Sequence, residues 1–399
     1  MQRLFLNPLA SFSDTSTQLL TSPYSPWSYT PVSKQLAAGY ELLHRLGKDY
    51  EKPAWGIEHI ERSGQAHPVH IHCVHEQPFC QLLHFTLEDS PQNRPQVLLV
   101  APLSGHHATL LRDTVRTLLQ DHDVYVTDWI DARMVPLSSG SFHLDNYVRY
   151  VMDFISFIEQ PVHVIAVCQP TVPVLAAVSL LAANHSPHNP KTLTLMGGPV
   201  DARQSPTQVN RLATTKPFNW FEDNVIHRVP ARYPGAGRRV YPGFLQYAGF
   251  IAMNPDRHLN SHYEFYQQLM QGQDDSVAAH RRFYDEYNAV LDMSAEFYLD
   301  TIKTVFQDYS LPSGTWTIED QRVEPAAIQN TALLTIEGEL DDISGLGQTR
   351  AAHDLCSGLS AQQRHHYEAE GSGHYGIFSG RRWRTLVYPE IQRFIQQHS

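Results

Sequence analysis

The stretch VHVIAVCQPTVPVLAAVSLLAA, Val162 to Ala183, constrains the fold more than any other part of the chain. Its first six residues are almost all β-branched or small, then come Cys168, Gln169 and Pro170. After these, apolar residues recur at helical spacing through Val174, Leu175, Val178 and Leu181. That is strand, sharp turn and helix. A side chain at such a turn projects from the carboxyl end of the strand and faces the positive end of the following helix. Here it is a cysteine, whose thiolate such a position favours, and the backbone N–H of Gln169 is free to bind a developing oxyanion. Pro170 suits a first helical position, where its missing N–H costs nothing. The stretch departs from G-x-S-x-G, because Ala166 and Pro170 stand where the glycines would be. The competing reading makes Cys168 a small core side chain, the commonest fate of a cysteine in an apolar run. Catalysis needs a base and an acid elsewhere, in the right order.

A chain of 399 residues is long enough for a large α/β domain with an insertion, or for two domains. A net charge of -11 argues against nucleic acid or an anionic membrane surface as the main partner. The four cysteines, Cys73, Cys80, Cys168 and Cys356, have no framework spacing and suit a reducing cytoplasm. MQRLFLNPLASF is too short in its apolar run to read as an export signal. No transmembrane segment is expected either, since the 162–183 stretch carries His163, Gln169, Pro170 and Pro173 and lacks basic flanks.

Residues 1–55, rich in Ser, Thr and Pro, read as an N-terminal arm with one helical pattern from Gln35 to Leu46. HPVHIHCVHEQPFCQLLHFTL then reads as a β-hairpin turning at Gln77 and Pro78. Its His70, His72 and His75 invite a metal, but alternation splits them between two faces and no zinc spacing follows, so none is expected. Gln96–Ala101, Val124–Trp129, Val162–Val167 and Lys191–Met196 read as buried strands, with helices at Ala108–Leu119 and Leu144–Ile158. Such alternation implies a parallel sheet covered on both faces, its site at the strand carboxyl ends. From 205 to 324 clear buried strands stop and aromatics multiply, which reads as a mainly helical lid inserted between strands 6 and 7 of the sheet. The core is thus expected at 56–204 and 325–399, resuming with the strand Thr331–Ile336. A helix at Gly347–Leu355, a strand at Arg364–Ala369 and a final helix at Arg382–Gln397 complete it.

Two residues just beyond these late strands supply the missing groups: Asp341 in GELDD, with Asp342 as the one-residue alternative, and His374 in GSGHYG. The order Cys168, Asp341, His374 is the order of an α/β-hydrolase triad. Each member has a bland reading, as a helix cap or a surface loop histidine. In the catalytic reading His374 takes the thiol proton and Asp341 fixes its tautomer. The second oxyanion donor should come from the loop after QVLLVA, with the N–H of Leu103 the first choice and Ser104 the second.

VCQPTVPVLAAVSLLAA, LTLMGGPVDAR, YPGFLQYAGFIAMNPDRH, HRRFYDEYNAVLDMSAEFYLDTI, TALLTIEGELDDISGLGQTRAAHDLC and GHYGIFSGRRWR closely resemble the intracellular poly(3-hydroxybutyrate) depolymerases. The resemblance runs from about Tyr50 onward. It implies an α/β-hydrolase fold, a thiol nucleophile at Cys168, an acid at Asp341, a base at His374 and a thioester intermediate. It further implies the polymer and its granule surface as partners, a granule-associated cytoplasmic protein, and no cofactor. A homo-oligomer is compatible with all of this. The polymer is neutral and apolar, so aromatics of the insertion, Trp220 and Tyr241 first, are candidate contacts, although core packing is the commoner role of such rings. The rival readings are a polyhydroxyalkanoate synthase-like acyltransferase using hydroxyacyl-coenzyme A, and a non-catalytic granule protein.

Overall fold

The computed structural model describes residues 50–62, 64–88, 94–158, 161–253, 263–269, 271 and 274–399, with Ser13, Leu36, Ala37, Tyr40 and Glu41 besides. Most of the expected arm 1–55, with its helical pattern from Gln35 to Leu46, lies outside the described residues. The chain divides into two units, residues 54–245 with 291–399 and residues 1–53 with 246–290. The larger one holds the sheet.

Its strands follow in order: β1 (His59–Arg62), β2 (Gln65–Gln77), β3 (Cys80–Leu87), β4 (Gln96–Val100), β5 (Asp123–Trp129), β6 (Val162–Val167) and β7 (Thr192–Met196). Five short strands come next: β8 (His227–Arg228), β9 (Arg239–Tyr241), β10 (Met293–Ser294), β11 (Thr317–Ile318) and β12 (Gln321–Arg322). β13 (Ala332–Gly338) and β14 (Arg364–Ala369) close the series. The main sheet runs β1-β2-β3-β5-β4-β6-β7-β13-β14. It is antiparallel from β1 to β5 and parallel from there onward. β6, β7 and β13 are buried along their whole length, their mostly apolar residues interrupted by His163, Thr192, Thr194, Thr335 and Glu337. The β2–β3 hairpin sits toward the antiparallel edge, and a bulge between Cys73 and His75 shifts its register. His70 and His72, before the bulge, are exposed, while the His75 ring after it packs 4.8 Å from Phe157.

The helix Leu144–Phe157 buries Leu144, Tyr147, Val148, Val151, Phe154 and Ile155, one stripe at the helical period. Its neighbour Thr171–Ala183 is buried from Thr171 to Leu181 on every side, which explains its uniformly apolar sequence. Each Leu or Val buried there contributes about 1.5–3 kcal/mol, which anchors the turn before it.

Three expectations change. The helix expected over Gly347–Leu355 is a run of turns ending in a short helix, Ala352–Leu355, because Gly347 adopts φ +93° and the N–H groups of Gly347, Thr349 and Arg350 donate to Glu337. The final helix widens to a π segment over Trp383–Val387 before Tyr388–His398. Pro389 has no N–H for the carbonyl of Thr385, which removes one α-helical bond at the junction. The insertion also carries strands: β8, β9 and β10 form one small sheet, and β11 and β12 a hairpin. Its returning limb packs inward, with Leu291, Met293, Phe297 and Val305 joining the main core.

Candidate active site

Four neighbouring parallel strands deliver the site. Cys168 follows β6, Gly197 and Gly198 follow β7, Asp341 follows β13 and His374 follows β14. Cys168 adopts φ +68°, the left-handed region that non-glycine residues enter at a cost of about 1 kcal/mol or more. The neighbours hold it there. Its N–H donates to the carbonyl of Met196 at 2.7 Å, and its carbonyl accepts from the N–H of Thr171 at 3.1 Å. A Cβ on Gly198 would lie 2.2 Å from that carbonyl and 1.9 Å from Oγ1 of Thr171, so only glycine fits. Thr349 fixes Gly198 from the other side, accepting its N–H at 2.8 Å and donating to its carbonyl at 2.9 Å.

The three candidate residues meet. His374 Nδ1 lies 2.7 Å from Oδ2 of Asp341, both side chains being almost fully buried. The Cys168 sulfur lies near enough to act on the His374 charge. Burial alone would push the imidazole pKa down. The Asp341 charge, then the Cys168 sulfur, and the hydrogen bond to Asp341 reverse this and hold His374 well above its ordinary value. Asp341 is itself oriented, since its Oδ1 accepts the N–H groups of Ile343 and Ser344 at 2.8 and 2.9 Å. Gly197, at φ +56°, forms the floor: a Cβ there would lie 3.3 Å from Oδ2 of Asp341 and 3.4 Å from Cε1 of His374.

The oxyanion candidates are also together. The N–H of Leu103 donates to Oε1 of Gln169 in a long bond of 3.4 Å. Gln169 is buried, and its Nε2 has no partner among the described residues. Ser104 is half-buried on the same loop. Trp220 lies elsewhere, in the small core that Ala213, Phe221, Leu299 and Ile302 build inside the insertion, edge-on to Phe221 at 5.3 Å. Tyr241 packs 4.2 Å from Tyr298, and burial pushes its hydroxyl up to about 12. Among the described residues no group of three or more His, Cys, Asp or Glu could hold a metal ion. None of their helices is long and apolar enough to cross a membrane.

Sequence reasoning passed over three supports. Gly197 and Gly198 are visible as a glycine pair directly after a buried strand, a signal for close backbone approach. Thr349 has no such signal. Neither has Glu337, whose buried carboxylate accepts the N–H groups of Gly347, Thr349 and Arg350 at 2.7–2.9 Å.

A parallel sheet in this order, with a left-handed turn residue after β6 and an acid and histidine after its last two strands, defines an α/β-hydrolase. A family model described as PHB de-polymerase C-terminus matches residues 197–399, and the chain belongs to that family. It is accordingly an ester hydrolase. No curated protein sequence matches it. Among solved structures, the chain is similar to the 2-hydroxy-6-oxo-6-phenylhexa-2,4-dienoate hydrolase of Rhodococcus sp. strain RHA1. The identity is 13% and the TM-score 0.45, covering 82% of this chain and 99% of that one. It is also similar to the monoacylglycerol lipase of Paleococcus ferrophilus, at 13% identity and TM-score 0.45, over 77% and 97% of the two chains.

Proposed function

We propose that this chain cleaves the ester bonds of poly(3-hydroxybutyrate), or a related short-chain polyhydroxyalkanoate, with Cys168 as nucleophile. The observation that carries the reading is the hydrogen-bonded pair His374–Asp341 beside Cys168 at its left-handed turn, inside a chain of the depolymerase family. The thiol proton passes to His374, whose other nitrogen is held by Asp341, before attack, and the thiolate sulfur then adds to the ester carbonyl carbon. The oxyanion takes the N–H groups of Gln169 and Leu103, so the carboxamide oxygen of Gln169 has to give up its bond to Leu103 first. Collapse breaks the ester C–O bond, and His374 returns its proton to the departing hydroxyl. A thioester remains on Cys168. Water, deprotonated by His374, cleaves it and frees the acid end. The product is 3-hydroxybutyrate or a short oligomer.

No cofactor enters this scheme. The polymer granule in the cytoplasm is the partner the reading requires, and the four cysteines, all free, suit that reducing compartment. The insertion acts as a lid that excludes bulk water from the thioester. The test is direct: purified protein is incubated with amorphous granules and released 3-hydroxybutyrate is measured. Wild type should release it, and Cys168→Ala, whose small side chain suits the turn, should release none while remaining folded. Release by the variant removes Cys168 from the scheme, and no release by wild type overturns the substrate.

A further inference from the structure

Away from Cys168, the chain around β13 and β14 forms an open cavity of about 550 Å³, lined by Gln204, Arg350, His353, Asp354, Arg364 and His366. Its size is that of a small-molecule site. The two imidazoles are fixed at its wall by one buried hydroxyl: Oγ1 of Thr335 lies 2.7 Å from Nε2 of His353 and 2.8 Å from Nδ1 of His366. Arg364 donates from Nη1 to the carbonyl of His353 at 3.0 Å, which turns its fork along the same wall. Arg350 is exposed, and among the described residues neither arginine has a carboxylate within 4.0 Å. Two permanent cations against the single acid Asp354 leave this lining net positive before either histidine is charged. Guanidinium groups without a carboxylate, facing a cavity, are the usual receptors of phosphate-type oxyanions.

We propose that this cavity binds a phosphate-type dianion between Arg350 and Arg364, with His353 and His366 as its hydrogen-bonding wall. The ligand is free phosphate or the phosphate end of a larger molecule. The charges around the histidines give the binding a pH dependence. Burial first, then His366, Arg364 and Arg350, push His353 down to about 4, against Asp354. Burial and then Arg350 and His365 lower His366, against Glu337 and Glu368. A dianion between the arginines cancels their effect and raises both imidazoles. Binding therefore takes up protons and tightens as pH falls.

The test uses the full chain and isothermal titration at constant ionic strength. Inorganic phosphate should bind saturably at about pH 7.5, where the dianion is its main form, and Arg350→Ala should weaken it about tenfold or more. Adenosine monophosphate binding tighter than phosphate assigns the site to a larger phosphorylated molecule; equal affinity assigns it to phosphate itself. Sulfate keeps its double charge throughout, so its affinity should rise about three- to tenfold from pH 7 to pH 5. Unchanged alkylation of Cys168 in the variant checks that the fold is intact. Absence of saturable binding by all three anions, or equal binding by Arg350→Ala and an Arg350→Ala/Arg364→Ala double variant relative to wild type, overturns the proposal. So does a sulfate affinity that ignores pH.

Discussion

The imidazole of His374 is where burial and charge oppose each other most directly. Burial lowers its pKa, and Asp341 is the largest influence that raises it. Asp341→Asn keeps the shape and removes the charge, so turnover should fall about 10⁴-fold, and the kinetic pKa assigned to His374 should move down. A pH–rate profile of the variant reads both. Stability follows the same sign. A folded-state pKa above the unfolded value of about 6.5 means that protonated His374 contributes stability in full below that pH, and loses it as pH rises through the raised value. The melting temperature of wild type should therefore fall more steeply above neutrality than that of Asp341→Asn. Gln169 offers a second residue-scale test. Its carboxamide oxygen accepts the N–H of Leu103, the donor that the proposed scheme assigns to the oxyanion. In Gln169→Glu a carboxylate would hold that N–H by a charge-assisted bond and repel the oxyanion, so kcat should drop at least about 100-fold at pH 8 and recover as pH falls. Equal kcat at both pH values would place the side chain outside the path of the substrate.

At the level of elements, the loop from β13 to the short helix Ala352–Leu355 is built on one carboxylate. Glu337 accepts three backbone N–H groups ten to thirteen residues further on, and the same loop carries Asp341 and Thr349. Glu337→Ala leaves those donors buried and unpaired, at about 1–3 kcal/mol each. Glu337→Gln turns an amide N–H toward one of them. Thermal melts should rank wild type above Gln and Gln above Ala, with esterase activity lost in the same order as Asp341 drifts. This loop also shows where sequence reading stops. β4, β6, β7 and β13 were legible because strands buried on both faces are short, mostly apolar runs with few polar residues. Cys168, Asp341 and His374 were legible because each follows such a strand or a glycine-flanked turn. β1 was not, since only Ile60 of its four residues is buried and one residue has no period. A buried carboxylate serving distant backbone donors leaves no local pattern at all, and the helix expected over Gly347–Leu355 failed for that reason. The side chain of Gln169 is similar, for its role depends on a loop 66 residues away.

For the whole molecule, the proposed polymer substrate would be too large to enter a pocket and would have to be met by exposed surface. Insertion aromatics divide by their contacts. The Trp220 ring lies 5.3 Å from Phe221 and 5.3 Å from the ammonium of Lys216, and packs partly buried against a small cluster. Its removal should uncover that cluster, lower the melting temperature by the equivalent of about 1–3 kcal/mol, and slow cleavage of polymer and of a short soluble ester together. Leu340 is the contrasting residue. It stands beside Asp341, yet 63% of its surface is exposed, which a core role does not explain. A single exposed leucine needs no explanation on an ordinary surface, but here it borders the acid that holds His374. A polyester chain crossing the site would bury it, gaining about 1.5–3 kcal/mol at full burial. Leu340→Ala should therefore raise KM for polymer about three- to tenfold, leave short-ester kinetics within about twofold, and leave the melting temperature unchanged. Equal losses on both substrates would assign Leu340 to the support of Asp341, and would move the polymer track to Leu212, Phe244 or Tyr263, the exposed large hydrophobic residues of the insertion among the described residues.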